Sequence, residues 1–172
     1  MIGIPERTEA SEYYFTYIDQ VGEGDICEVL DAQAGATLAL LHTISDEQSL
    51  HRYAPGKWSI RQVVGHMNDA ERLFVFRAFW FARGFETELP SFDEKVAVSA
   101  AGAEERSWDS HVEEFRAVRG ATTSFFRSLP AHAWGRHGIA SGNRFTVRAL
   151  AYIAAGHIAH HNMILRNRYL KR

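Results

Sequence analysis

The chain has 172 residues, of which 46% are hydrophobic and 23% charged, as is usual for a globular domain. The 21 acidic and 19 basic residues give a net charge of −2, so bulk charge does not favour binding to nucleic acid or to an anionic membrane. The longest nearly apolar run, Leu73 to Ala82, contains Arg77 and is too short to span a bilayer. A single cysteine, Cys27, excludes an intrachain disulfide framework, and the first ten residues lack the pattern of a signal peptide. We therefore expect a cytoplasmic protein.

The first part of the chain has a helical pattern. All four prolines fall between segments with that pattern, and no stretch alternates β-branched with polar residues, so we predict an all-α fold. A short helix is expected at about residues 9–21. A longer one is expected from about Asp25 to Thr43, with Asp25 as its N-cap. Residues 45–56 then form a connector that can hold a turn of helix.

The second long helix has clear boundaries. Ser59 and Gln62 form an S-x-x-Q capping box at its start, and Gly84 can supply the left-handed residue that ends it. The polar residues 91–103 after it are expected to form a loop with a helical piece. The role of this segment as a lid, a dimer contact or a plain connector stays open.

Two more long helices complete the predicted fold. Ser107 can cap the third, which should end near Ser128. Residues 131–145 are rich in turn formers and are predicted to be a loop. Thr146 can cap the last helix, which should run over residues 147–169. Four long helices joined by loops predict a four-helix bundle.

Two histidines lie on the face of the last helix that should point into the bundle. At about 100° per residue, His157 and His161 lie about 40° apart in the middle of an apolar stripe. The other members of this stripe are Leu150, Ile153, Ala154, Ile164 and Leu165. Residues four apart on a helix are neighbours, so both rings can reach one cation such as zinc, nickel, copper or iron. Gly156 removes a side chain beside the pair, at a cost in helix propensity. The alternative is a pair of hydrogen-bonded core histidines.

A third ligand and two candidate acid–base residues lie on the second long helix. His66 is placed about 90° from the centre of that helix's apolar stripe, but the aromatic residues around it could still bury it. Asp69 could orient His66, or it could be solvated. Glu71 could be a buried general base, or it could form an ion pair with Arg72 or Arg77.

The remaining candidates are weaker. The other histidines are expected at the surface: His42, His51, His111, His132 and His137. Trp58, Arg77 and Tyr152 are conceivable lining residues of a pocket. Three histidines without a fourth protein ligand would form an open site, in which the metal lowers the pKa of a bound water or thiol.

Three segments in this order resemble the DinB family, also called the DinB/YfiT-like metalloenzymes. The first is PGKWSIRQVVGHMNDAER, Pro55 to Arg72, and the second is ARGFETELPSFDE, Ala82 to Glu94. The third is GHIAHHNMIL, Gly156 to Leu165, which contains H-x-x-x-H. The resemblance covers most of the chain, about residues 25–169.

The resemblance implies a specific fold and metal site. The fold would be an up-down-down-up four-helix bundle, with residues 1–172 as a single domain that carries a short N-terminal helical extension. Members are usually homodimers, and the aromatic residues of the second long helix could form the contact between subunits. The motifs map a divalent metal, zinc or nickel, onto His66, His157 and His161. His160 occupies a variable position of the motif and is not carried over as a ligand.

The resemblance also implies the function that we expect first. This is a metal-dependent enzyme that activates a low-molecular-weight thiol (an S-transferase) or water (a hydrolase) for attack on a small substrate. The alternative is a non-catalytic dimeric bundle that binds a metal or another ligand. In that case His160 or a carboxylate would be the fourth ligand of the metal. A third reading is a structural dimer with vestigial histidines. Neither nucleic acid nor a membrane is expected as a partner.

Overall fold

The computed structural model describes residues 1–171, which contain six α-helices and one two-stranded antiparallel sheet. The helices are α1 (Glu12–Ile18), α2 (Ile26–Leu41), α3 (Ile60–Ala82), α4 (Glu94–Ala100), α5 (Trp108–Arg127) and α6 (Val147–Ile164). The strands are β1 (His137–Ala140) and β2 (Asn143–Thr146). Short 3₁₀ turns lie at Arg7–Glu9, Gln48–Leu50, Ala103–Glu105 and Ala131–Ala133, and a π-helical turn at Leu165–Tyr169 continues α6. None of the helices in this range has the length and apolar character needed to cross a membrane.

The four long helices α2, α3, α5 and α6 form the predicted bundle. Both α2 and α3 pack against α5 and α6, so the consecutive helices α2 and α3 face each other across the bundle. The indole N–H of Trp108 donates to the carbonyl of Leu41 at 3.2 Å. Arg127 pairs with Asp31 and, at 3.2 Å, with Glu28. Each end of α5 therefore lies beside the opposite end of α2.

The predicted starts of the four long helices are confirmed, whereas the first short helix, expected at about residues 9–21, is limited to Glu12–Ile18. Three side chains accept a hydrogen bond from a backbone N–H in the first turn of the helix that follows them: Asp25, Ser107 and Thr146. Ser59 and Gln62 form the capping box at the start of α3. Gly84 follows α3 with a φ of +82°, the left-handed conformation expected there.

The hairpin of β1 and β2 corrects the all-α prediction. Both strands lie largely in residues 131–145, which we predicted to be a loop. Ser141 and Gly142 connect them with φ values of 53° and 70°, the positive values that tight hairpin turns require. Leu89 pairs with the strand end at Ala140. Neither four-residue strand alternates β-branched with polar side chains, so periodicity could not reveal it.

The hydrophobic core consists of two clusters that meet near the middle of α6. One cluster includes the buried apolar residues of α6 up to Ala155 and those of α3 from Ala70 onward. The other includes α6 from Ile158 onward and α3 up to Met67. The histidines singled out in the sequence therefore lie where the two apolar clusters join.

Helix α1 packs with its backbone against α6, and Gly156 makes that contact possible. A Cβ atom added at Gly156 would lie 2.1 Å from the carbonyl oxygen of Tyr17 and 2.4 Å from its carbonyl carbon. The ring of Tyr17 lies edge-on to His157, with 5.5 Å between the ring centroids. The glycine beside the histidine pair therefore makes room for a helix that covers the pair.

Gly156→Ala should destabilise the protein because a backbone atom of α1 must move to admit the methyl group. We expect the free energy of unfolding to fall by about 1–3 kcal/mol, the usual cost of overpacking. The matched control is Gly120→Ala in α5, where nothing lies within 4 Å of the added Cβ. That variant should gain about 0.5–1 kcal/mol from helix propensity. Urea unfolding of both variants measures this, and equal shifts would contradict the close contact.

Candidate metal centre

Three buried histidines from two helices converge on one point. His66 of α3 and His157 of α6 have their Nε2 atoms 3.0 Å apart. The Nε2 of His161 lies 3.1 Å from that of His157. Within residues 1–171 this is the one group of three or more His, Cys, Asp or Glu side chains whose donor atoms are mutually close enough to hold a metal ion.

The packing of α3 on α6 brings the histidines together. His157 and His161 project from the same face of α6, as their spacing predicts. His66 is only 5% exposed, although the sequence placed it at the edge of the apolar stripe. The ring of Trp58 lies 5.1 Å from the ring of His66. Helix α6 and this indole bury the side chain.

Burial keeps all three imidazoles neutral at neutral pH. Removal from water lowers the pKa of His66 to about 4 and that of His161 to about 3. Burial, followed by the neighbouring His161 and His66, holds the pKa of His157 well below its usual value. Neutral imidazole is the form that binds metal ions.

Hydrogen bonds among the three rings cannot satisfy all three Nε2 atoms, but one cation can. Each neutral ring has one N–H and one lone pair, so the Nε2 of His157 can accept only one N–H. The Nδ1 atoms of His66, His157 and His161 have no hydrogen-bond partner within residues 1–171. A cation between the Nε2 atoms would accept a lone pair from every ring.

The spacing of the nitrogens also fits a metal ion. Two nitrogens bound at about 2.0–2.1 Å to one zinc ion lie about 2.8–3.4 Å apart for angles between octahedral and tetrahedral. The observed separations of 3.0 and 3.1 Å fall in that range. Imidazole donors suit zinc, nickel, copper and iron, so the donor set fits a divalent metal without choosing among them.

A small cavity reaches the cluster from the side of α1. His66 and His157 line this cavity, whose volume is about 190 Å³. Its other polar lining residues are Tyr13, Tyr14, Tyr17, Arg77, Glu94 and Ser141. Arg77 was a predicted lining residue, whereas the tyrosines and Ser141 were not. They come from α1 and the hairpin turn, whose positions depend on tertiary packing.

A second opening approaches the cluster from the opposite end of the bundle. It has a volume of about 480 Å³ and is lined by His161 and by the predicted pocket residue Trp58. The third such candidate, Tyr152, is fully buried and donates from its hydroxyl to the carbonyl of Ile2 at 3.2 Å. It lines neither opening.

Asp69 and Glu71 lie outside the cluster and its cavity. Asp69 accepts from Arg72 at 3.3 Å and makes no hydrogen bond with His66, whose Nδ1 has no partner in the described chain. Glu71 forms a buried ion pair with Arg119 of α5 at 2.8 Å, and each side chain is 1% exposed. The predicted ion pair of Glu71 thus exists, but its partner is neither Arg72 nor Arg77.

The remaining histidines differ in one case from the prediction. His42, His51, His132 and His137 are exposed, as expected. His111 is fully buried and lies 2.8 Å from the carbonyl of Ala103, so its predicted surface position is wrong. His160 is half-buried and does not belong to the group of three.

Breaking the buried ion pair should be costly. Glu71→Gln leaves the Arg119 guanidinium buried without its carboxylate, and we expect a loss of about 3–5 kcal/mol in the free energy of unfolding. The double variant Glu71→Leu/Arg119→Met removes both charges and should lose less than Glu71→Gln alone. Urea unfolding compares them. A loss below about 1 kcal/mol for Glu71→Gln would contradict the burial of an unpaired charge.

Comparisons with known proteins agree with this architecture. A family model described as the DinB superfamily matches residues 30–165, a range that contains all three clustered histidines. The solved structure of YfiT from Bacillus subtilis, described as a probable metal-dependent hydrolase with an unusual four-helix bundle topology, is 20% identical, with a TM-score of 0.67. The match covers 94% of this chain and 91% of YfiT, and at this identity it establishes the fold alone. No curated protein matches the chain at a significant level.

Proposed function

The chain belongs to the DinB superfamily, and we propose that it is a metal-dependent enzyme in which His66, His157 and His161 bind one divalent metal ion. The observation that carries this proposal is the convergence of three buried, neutral imidazoles whose Nε2 atoms lie 3.0 and 3.1 Å apart. The description of YfiT as a probable metal-dependent hydrolase supports the same class of function.

The proposed reaction is attack by an activated nucleophile on a small substrate. When bound, the metal lowers the pKa of water or of a thiol to near neutrality and so supplies the nucleophile. The nucleophile is water in a hydrolase and a low-molecular-weight thiol in an S-transferase. The description of YfiT favours water, and the family resemblance of the sequence motifs admits the thiol.

The chain's own residues position the substrate and keep bulk water away. His66 and His157 face the cavity of about 190 Å³, which lies next to the proposed metal. Tyr17 lies over His157, and Phe74 contacts the same ring at 5.7 Å between centroids. These aromatic walls lower the local dielectric constant, which strengthens the electrostatic effect of a bound cation.

An open coordination shell distinguishes an enzyme from a passive binding module. A structural zinc site has four protein ligands, whereas a catalytic site keeps one position for water or substrate. Within residues 1–171 the group contains three histidines and no carboxylate, and His160 lies outside it. This composition supports the catalytic alternative.

The same proposal includes the helix order and the extent of the domain. We propose an up-down-down-up order for α2, α3, α5 and α6, with residues 1–172 as one domain. The contacts of Trp108 with Leu41 and of Tyr169 with Trp58 support this order, because they join the starts of α5 and α3 to the ends of α2 and α6.

A homodimer stays a prediction of the family resemblance, and a cytoplasmic location stays a prediction from the single cysteine and the first residues of the sequence. Phe76 and Phe79 are 47% and 37% exposed and lie in an apolar groove between α3 and α5. We propose that a second copy of the chain covers this groove. The molar mass from analytical ultracentrifugation tests this: wild type should sediment as a dimer, and Phe76→Ser should shift it toward the monomer. The control Met163→Ser, at a site of equal exposure on α6, should stay a dimer. A wild-type monomer would contradict it.

Removing a cluster histidine should remove the metal. Protein purified without a histidine tag should contain about one zinc or nickel ion per chain by elemental analysis, since three imidazoles form one site. His157→Ala and His161→Ala should each lose it. His160→Ala is the matched control on the same helix and should keep it, because its ring lies outside the group.

The outcomes separate the three hypotheses. Loss of metal in His160→Ala as well would favour the closed shell of a binding module. A wild-type protein that takes up neither zinc nor nickel would contradict the metal site and leave the structural bundle. For protein that holds metal, product analysis with and without a small thiol distinguishes S-transfer from hydrolysis.

A further inference from the structure

One buried arginine beside the proposed metal site has no carboxylate partner. Within residues 1–171, three arginines are less than 5% exposed: Arg61, Arg77 and Arg119. Arg61 pairs with Asp46 at 2.7 Å, and Arg119 pairs with Glu71 at 2.8 Å. Arg77, which is 2% exposed, forms no such pair in that range. An arginine is always charged in proteins, and burying its charge is costly unless an anion is near.

The guanidinium of Arg77 is held in place but not neutralised. One terminal nitrogen donates to the hydroxyl of Ser141 at 2.8 Å and to the carbonyl of Pro90 at 3.2 Å. The Nε is buried and has no hydrogen-bond partner in the described chain. These neutral contacts fix the orientation of the group and leave its charge and one donor available.

The cavity that contains Arg77 also contains His66 and His157. The hydroxyl of Tyr14 lies in the same cavity, and burial raises the pKa of Tyr14 while Arg77 opposes the rise. Tyr14 therefore keeps its proton at neutral pH and can donate to an anion. Glu94 lines the cavity too, but it is exposed at the start of α4 and makes no ion pair with Arg77.

We propose that Arg77 binds the carboxylate of a small substrate in the cavity beside His66 and His157. Hydrogen bonds from a guanidinium to a carboxylate are charge-assisted and stronger than neutral ones, so a carboxylate would neutralise the buried charge of Arg77 as well as add affinity. The volume of about 190 Å³ is below the range of pockets for drug-sized ligands, so the substrate is small. This assignment rests on the proposed function in taking the cavity as the substrate site.

The aromatic walls determine which carboxylates fit best. Tyr14, Tyr17, Phe74 and Phe92 line the same cavity as Arg77, His66 and His157. An apolar or aromatic carboxylate would place its charged end at Arg77 and its apolar body against these rings. The rest of the substrate would then extend into the part of the cavity lined by His66 and His157, the residues that would hold the metal.

Calorimetric titration of benzoate and of its neutral analogue benzamide tests the assignment on metal-free and zinc-loaded protein. Benzoate should bind metal-free wild type at least about tenfold more tightly than benzamide, because a charged hydrogen bond is stronger than a neutral one. Arg77→Met should remove that preference and leave benzamide binding unchanged. Arg77→Lys should keep part of this preference, because the positive charge remains but the planar donor geometry of the guanidinium is lost.

The histidine variant separates this assignment from the metal site. His157→Ala, treated with a chelator, should bind benzoate within about threefold of metal-free wild type, since the guanidinium is retained. If His157→Ala abolished benzoate binding while Arg77→Met spared it, the carboxylate would bind at the histidine cluster rather than at Arg77, and the assignment would be wrong. Arg77-dependent benzoate binding in a protein that takes up no metal would support Arg77 and overturn the proposed function.

A loss of structure must be distinguished from a loss of binding, because Arg77 also contacts Pro90 and Ser141. Ser141→Ala removes one of these contacts and keeps the guanidinium, so it should keep the preference for benzoate. If Arg77→Met does not fold, the NMR signal of the Arg77 Nε–H in wild type decides. That signal should shift with benzoate and not with benzamide, and equal responses would overturn the proposal.

Discussion

The structure depends on the burial of three neutral imidazoles at the contact between α3 and α6. Buried polar groups without partners are costly, and in the part of the chain that the structure describes these rings have only one another on the Nε2 side and no protein partner on the Nδ1 side. The two apolar clusters of the core meet at this point, so the polar group interrupts an otherwise continuous core. A divalent cation, as proposed, would make the Nε2 side of this arrangement favourable, because every Nε2 lone pair would then have an acceptor.

The cover over this centre is built by elements outside the four long helices. Helix α1 reaches α6 only because Gly156 lacks a side chain, and it places Tyr17 over His157. The family match begins at residue 30, after α1, so the covering helix lies outside the matched region. The hairpin turn supplies Ser141, which holds Arg77 in the cavity. The bundle thus provides the donor atoms, and the added elements shape the cavity in front of them.

Local sequence patterns predicted what local interactions determine. The helix caps at Asp25, Ser59 and Thr146 involve neighbours within three residues, and the shared face of His157 and His161 follows from helical geometry alone. Features set by distant parts of the chain were not predictable in the same way. Glu71 pairs with Arg119, 48 residues away, rather than with an arginine of its own helix.

Two predictions failed because tertiary packing or a special turn outweighs the local pattern. His111, at the start of the third predicted helix, was assigned to the surface, but the carbonyl of Ala103 lies 2.8 Å from its Nε2 in the interior. The strands at residues 137–146 are joined by a turn in which Ser141 and Gly142 have positive φ values. Neither strand alternates β-branched with polar residues, so no periodicity marked them in the sequence. The sequence marked Gly156 as a position without a side chain beside the histidine pair, and the structure shows that this space is filled by the backbone of α1.

X-ray absorption at the metal edge of the purified protein tests the central claim most directly, since it reports the atoms around the metal. The account predicts about three imidazole nitrogens at about 2.0–2.1 Å and a light, non-protein scatterer in the remaining position. A spectrum with fewer than two imidazole ligands, or one dominated by sulfur or by carboxylate oxygen, would contradict a metal centre at His66, His157 and His161.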